Sequence, residues 1–188
     1  FVVINEILAD PPLGVPGDAN RDGIRNAFDD EFVEFFNGGL GPVSLEGWSV
    51  SDALRIRHVF SPVAFIPEGG FYVLFGGGRP DGFGAFDVSS TGTLGLNNTG
   101  DSVFLHDAAG NLVDSYTYGP EGGEDTSLTR FPDGRGPFMR HASVSPLVYS
   151  PEAPVVVPPR APEAPSVPEP AGFLLFGSAL FGAALKRR

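Results

Sequence analysis

The sequence predicts an all-β protein, an antiparallel β-sandwich with a separate tail, and three observations carry that expectation. Residues 1–150 hold no stretch in which apolar side chains recur at helical spacing. They hold instead seven short runs rich in Val, Ile, Phe and Tyr, with Gly, Pro, Asp and Asn breaking the chain between them. The chain is also long enough: 188 residues, 41% apolar and with 17 phenylalanines, suffice for one sandwich-sized core but not for two large domains.

In chain order the expected strands are 2–9, 31–37, 47–51, 57–61, 70–75, 101–106 and 111–118. The first is continuous and apolar apart from Asn5 and Glu6, which need hydrogen-bond partners if buried. The natural reading is that they tie loops to the sheet through backbone amides. In the second, Phe32 and Phe36 flank Val33 and Phe35 around Glu34, so the run looks buried on more than one side. The third carries Trp48, the only tryptophan, expected as a plug of the core. The last two strands form the clearest hairpin, joined by the turn residues Asp107, Ala108, Ala109 and Gly110. The glycine-rich GGGRPDGFG at 76–84 fits neither a dinucleotide nor a phosphate loop and reads as a strand connection.

Eight of the 19 prolines fall within 151–170. Such a stretch cannot sustain a helix or a ladder strand and is expected to be an extended spacer. The body therefore spans 1–149, a Pro-rich linker 150–166, and a terminal signal 167–188. Residues 171–185 are uncharged and precede Lys186, Arg187 and Arg188. A helix of that length spans about 22 Å, short of the roughly 30 Å hydrocarbon core. It is expected as a short membrane helix with a basic cytoplasmic stop, its shortness pointing to a processing signal rather than a permanent anchor. A permanently anchored protein is the alternative. A chain beginning at Phe1 is either one whose leader has been removed or a fragment; such a tail requires an exported body, so removal is expected.

Charge and composition exclude several functions. Twelve basic against 23 acidic residues give a net charge of −11, which repels phosphate, so no nucleic-acid partner is expected. The only lysine is Lys186, leaving none in the body for a P-loop or a Schiff base. There is no cysteine, hence no disulfide, thiolate nucleophile or thiolate metal site. His58, His106 and His141 are scattered without ligand spacing and read as solvated, and no GxSxG elbow occurs. Pairs such as Glu31 and Glu34 carry no weight for a glycosidase, because 20 acids in 1–150 guarantee some such pair. No catalytic residue is expected, and the chain reads as not an enzyme.

One loop has explicit site chemistry. Asp18-x-Asn20-x-Asp22-Gly23 places side-chain oxygens at positions 1, 3 and 5 of a calcium loop, glycine at 6, the Ile24 carbonyl at 7 and Asp29 at 12. Asp29 is one methylene shorter than the usual glutamate, so the last ligand is Asp29, Asp30 or Glu31. The competing reading is a solvated turn closed by Asx interactions at Asp18 and Asp22. Calcium (Ca2+) is the expected cofactor, held between the first two strands rather than in a helix–loop–helix.

Two segments resemble known families. Val167-Pro168-Glu169-Pro170, the apolar 171–185 and the basic 186–188 together look like the PEP-CTERM sorting signal of Gram-negative bacteria. That resemblance implies an exosortase, an integral-membrane cysteine protease, as processing partner. It also implies transient anchoring in the inner membrane through 171–185, then delivery to the cell surface or extracellular matrix. The body is similar to the lamin tail domain. VVINEILAD at the start, DEFVEFFN at 30–37, VSLEGWSVSD at 43–52 and IPEGGFYVLF at 66–75 carry the likeness. GDSVFLHDAAGNLVDSYTYG at 100–119, DTSLTRFPDG at 125–134 and RHASVSP at 140–146 continue it. That family implies an immunoglobulin-like sandwich and a scaffold role, not a reaction.

The expected function is thus that of an exported structural or adhesive module, displayed in exopolysaccharide. The alternatives are a carbohydrate-binding module using Phe83, Phe86, Tyr116 or Tyr118, and an accessory domain of an extracellular enzyme system.

Overall fold

The computed structural model describes residues 1–159; the sorting motif 167–170, the apolar segment 171–185 and Lys186, Arg187 and Arg188 lie outside them. Twelve strands follow one another: β1 Val2–Leu8, β2 Phe32–Asn37, β3 Val43–Ser44, β4 Ser49–Ser51, β5 Ile56–Val59, β6 Phe65–Ile66, β7 Phe71–Phe75, β8 Phe86–Val88, β9 Asp101–His106, β10 Leu112–Tyr118, β11 Leu128–Arg130 and β12 Phe138–Arg140. Short 3₁₀ turns are the only helical elements among the described residues, and no helix there is long and apolar enough to cross a membrane.

Six strands form one sheet in the order β12-β11-β1-β2-β7-β8, four form another in the order β10-β9-β4-β5, and β3 pairs with β6. The all-β expectation is met, and the arrangement is consistent with an immunoglobulin-like sandwich. Ladders are antiparallel except for β7 and β8, which run parallel, a departure from the wholly antiparallel expectation. Each of the seven expected runs overlaps a strand. The five missed, β3, β6, β8, β11 and β12, are two or three residues long.

Alternation builds the core. Val33 and Phe35 of β2, Leu74 of β7, and Val50, Val103 and Leu105 of the smaller sheet meet in one buried cluster with Ile4 and Ile7. Phe60 lies edge-on to both Phe35 and Tyr72, with centroids 5.8 and 5.6 Å apart, the geometry that the ring quadrupoles favour. Trp48 is half-buried and packs against this cluster rather than filling it.

β1 contains the feature that positions the polar residues. Its pairing with β2 shifts between Ile4 and Glu6, leaving Asn5 without a partner. A one-residue bulge inverts which alternate positions face inward. Val2 and Ile4 point to the core before it, Ile7 and Ala9 after it. Glu6, which strict alternation would drive into the apolar core beside Ile4, is turned to the outer face, opposite Glu34.

That outer face is itself covered, as the Phe32–Phe36 pattern implies. Leu8, Phe32, Val73 and Phe75 form a second buried cluster with Ala19 from the β1–β2 loop, flanked by Phe83, Phe86 and Tyr149. The compact unit runs from Phe1 to Pro158, so the body does not stop at Tyr149. Residues 150–155, assigned to the spacer by composition, are docked on the sheet. The proline argument holds for ladder pairing, which is absent here. The non-proline amides are taken up otherwise: Ser150 by Glu6, Glu152 by Glu34, Ala153 by the Ser150 carbonyl and Val155 by Asp133.

Candidate functional site

The acidic loop between β1 and β2 lies against glycines 76–78, just beyond β7. A Cβ on Gly76 would stand 1.9 Å from the Phe28 carbonyl oxygen, one on Gly77 2.1 Å from Asp29 Oδ1, and one on Gly78 2.4 Å from Asn20 Nδ2. The glycine run is therefore a seat for the loop, a steric role that composition alone left as a plain connection.

Within the loop Asp18 Oδ2 accepts from Gly23 N at 3.0 Å, Asn20 Oδ1 from Asp22 N at 3.0 Å, and Asp22 Oδ1 from Ile24 N at 2.9 Å. Asp22 Oδ2 accepts from Arg79 N, and the buried Asn20 donates through Nδ2 to the Gly77 carbonyl. Gly23 takes φ +88°, the left-handed turn expected at its position. The Ile24 side chain projects into solvent.

Of the three alternatives for the last ligand, two are committed elsewhere. Asp30 accepts from Asn20 N and Asn26 N. Glu31 accepts from Gly95 N and Leu96 N, and burial pushes its carboxyl up to about 8. Asp29 remains beside Gly77. Asp18 Oδ1 is buried without a hydrogen-bond partner among the described residues, and a carboxylate oxygen is a hard donor of the type that calcium takes. Against that, no group of three or more Asp, Glu or His side chains among the described residues is placed to hold a metal ion. Most of the loop's oxygens serve its own amides.

The second constellation lies on the covered outer face. Glu6 and Glu34, both fully buried, are Cα partners across β1 and β2. Glu6 accepts from Ser127 Oγ at 2.6 Å and from Ser150 N and Oγ at 3.0 and 3.2 Å. Glu34 accepts from Asn5 Nδ2 at 3.0 Å and from Glu152 N at 2.6 Å. Asn5, freed by the bulge, also donates to Asp133 and accepts from Gly134 N. The loop-tying role expected of Asn5 and Glu6 is what the geometry shows. Burial raises both carboxyls; the like charge of Glu6 raises Glu34 further, while His141 draws Glu6 back down.

Two histidines are not solvated, contrary to expectation. His141 is fully buried, its Nδ1 facing the Leu147 carbonyl and its Nε2 facing Ser150 Oγ, each at 2.9 Å. His58 is buried between Ser90 Oγ at 2.9 Å and Asp87 Oδ2 at 3.3 Å. Nothing in the spacing of single histidines announces burial, which their neighbours in the fold decide. His106 is half-buried.

The aromatic residues considered for carbohydrate binding separate. Tyr118 is buried, Tyr116 stacks on Phe138 at 3.7 Å, and Phe83 lies under the Arg21 guanidinium and against Phe75. Phe86 borders a groove of about 530 Å³ together with Phe65, Phe71, Tyr72, Asp87 and Glu152.

Comparison with protein-family models matches residues 1–120 to the Lamin Tail Domain and residues 166–188 to the PEP-CTERM protein-sorting motif. A search of curated proteins finds no match to the chain.

Proposed function

The chain belongs to the Lamin Tail Domain family, and from that premise we propose that it is a non-catalytic structural or adhesive module displayed outside the cell. The sorting motif at 166–188 indicates export and surface sorting, and implies processing by an exosortase at the membrane. Its position after the β domain is the observation that carries the proposal. In this reading 171–185 anchor the precursor transiently in the inner membrane of a Gram-negative bacterium. Lys186, Arg187 and Arg188 stay cytoplasmic, and Pro168-Glu169-Pro170 is read at the outer face. The non-catalytic assignment is supported by the use of His58 and His141 as internal ties. In an exosortase-bearing host, Glu169→Ala and removal of 186–188 each leave full-length precursor on an immunoblot. Normal maturation of both variants overturns the sorting mechanism.

Calcium in the Asp18, Asn20, Asp22, Ile24 and Asp29 loop is the second part of the proposal. It rests on the spacing and on the unpartnered Asp18 Oδ1, and the site it describes is a weak one suited to millimolar extracellular calcium.

The alternative is a carbohydrate-binding module, favoured by the groove in which Phe65, Phe71 and Phe86 offer apolar faces beside the Asp87 carboxylate. Saturable binding of the host's own exopolysaccharide, lost in Phe86→Ala, favours that reading over a passive scaffold.

A further inference from the structure

Residues 150–155 are held to the sheet by three acids that no lysine or arginine neutralises among the described residues. Glu6, Glu34 and Asp133 accept from Ser150 N, Glu152 N and Val155 N. The segment is also held from its own side. Glu152, at φ +62°, turns its carboxylate away from the pair to accept from Gly84 N and Ala85 N. A non-glycine residue in that conformation persists only where its surroundings enforce it.

We propose that 150–155 form a proton-operated latch, closed while the Glu6–Glu34 pair carries at most one negative charge and opened by the second ionisation. Two carboxylates facing each other across one ladder in a dry environment repel strongly. Opening the latch admits water to them. The titratable groups that face the pair are Asp133 from the β11–β12 turn and His141 from the turn after β12, while the strap's own Glu152 carboxylate is held at Gly84 N and Ala85 N. Thr129 of β11 and Val73 of β7, the other ladder neighbours, do not titrate. Both carboxyls are raised above the ordinary 4.5 by burial, so the closed form binds protons more tightly than the open one. Closure is therefore favoured at low pH and weakens as pH rises. Opening releases six residues between the sheet and the tail, about 20 Å when extended.

Amide hydrogen exchange in the full chain tests this, read at Ser150, Glu152 and Val155 from about pH 5 to about pH 9 and corrected for intrinsic rates. The expected result is that opening of these three amides rises by up to about tenfold per pH unit until the folded pKa is passed. Amides of Val103 and Tyr116 in the smaller sheet stay protected over the same range. Glu34→Gln flattens the rise; Glu6→Gln serves if the first variant does not fold. Protection independent of pH in the wild type overturns the latch. So does an undiminished slope in a folded glutamine variant, or strap and sheet amides opening together.

Discussion

Glu152 donates its backbone amide to Glu34 across 118 residues of chain. Through that bond and its neighbours the turn at 150–153 is coupled to the first two strands. The boundary that composition sets at Tyr149 therefore falls inside the folded unit.

Truncation reads this directly. A chain ending at Tyr149 leaves Glu6, Glu34 and Asp133 without the strap amides, whereas one ending at Pro158 keeps them. Each buried acceptor so stripped costs about 1–3 kcal/mol, more when charged. The shorter chain is expected to have a lower urea midpoint by that order, or not to fold. Equal midpoints would show that the strap contributes nothing.

Stability should fall towards alkaline pH. Glu6, Glu31 and Glu34 have folded values raised above 4.5, and that of Glu31 is pushed to about 8. A raised carboxyl contributes stability that is full below its unfolded value and is lost as pH rises through its folded value. The Tm measured with a chelator present is expected to decline from about pH 5 to about pH 9. Glu31→Gln should remove the part of the decline near its own titration. Asp52 and Asp87, whose values are lowered, act in the opposite sense and only near or below the ordinary 3.8.

Gly76→Ala puts a methyl group within 1.9 Å of the Phe28 carbonyl oxygen. The acidic loop must shift, at a cost of about 1–3 kcal/mol, read as a lower denaturant midpoint. Gly76 does not have a positive φ, so its cost is steric; Gly41→Ala, at φ +95° with nothing within 4 Å, gives the cost of backbone strain without a clash for comparison.

Calcium is tested by melting the full chain with millimolar calcium and with chelator. A bound ion raises Tm through selective binding to the native state, and Asp18→Ala with Asp22→Ala abolishes the rise. An unchanged Tm leaves the loop as a turn closed by its own carboxylates.

What the sequence by itself determined is local and periodic: the β class, seven of the twelve strands and the need of Asn5 and Glu6 for partners. Residues such as Val33 and Phe35 alternate with their neighbours, and alternation is a property of adjacent residues. The terminal signal is equally legible, because VPEP, the apolar segment and the basic end are contiguous. The tertiary structure alone decided the bulge at Asn5, the burial of His141 and the docking of 150–155. Two-residue strands such as β3 and β6 carry no period of their own and exist only through the partner that supplies their hydrogen bonds. The strap is read correctly as unable to form a ladder. It is ordered because its few donors meet carboxylates 144, 118 and 22 residues earlier, a pairing that no local pattern encodes.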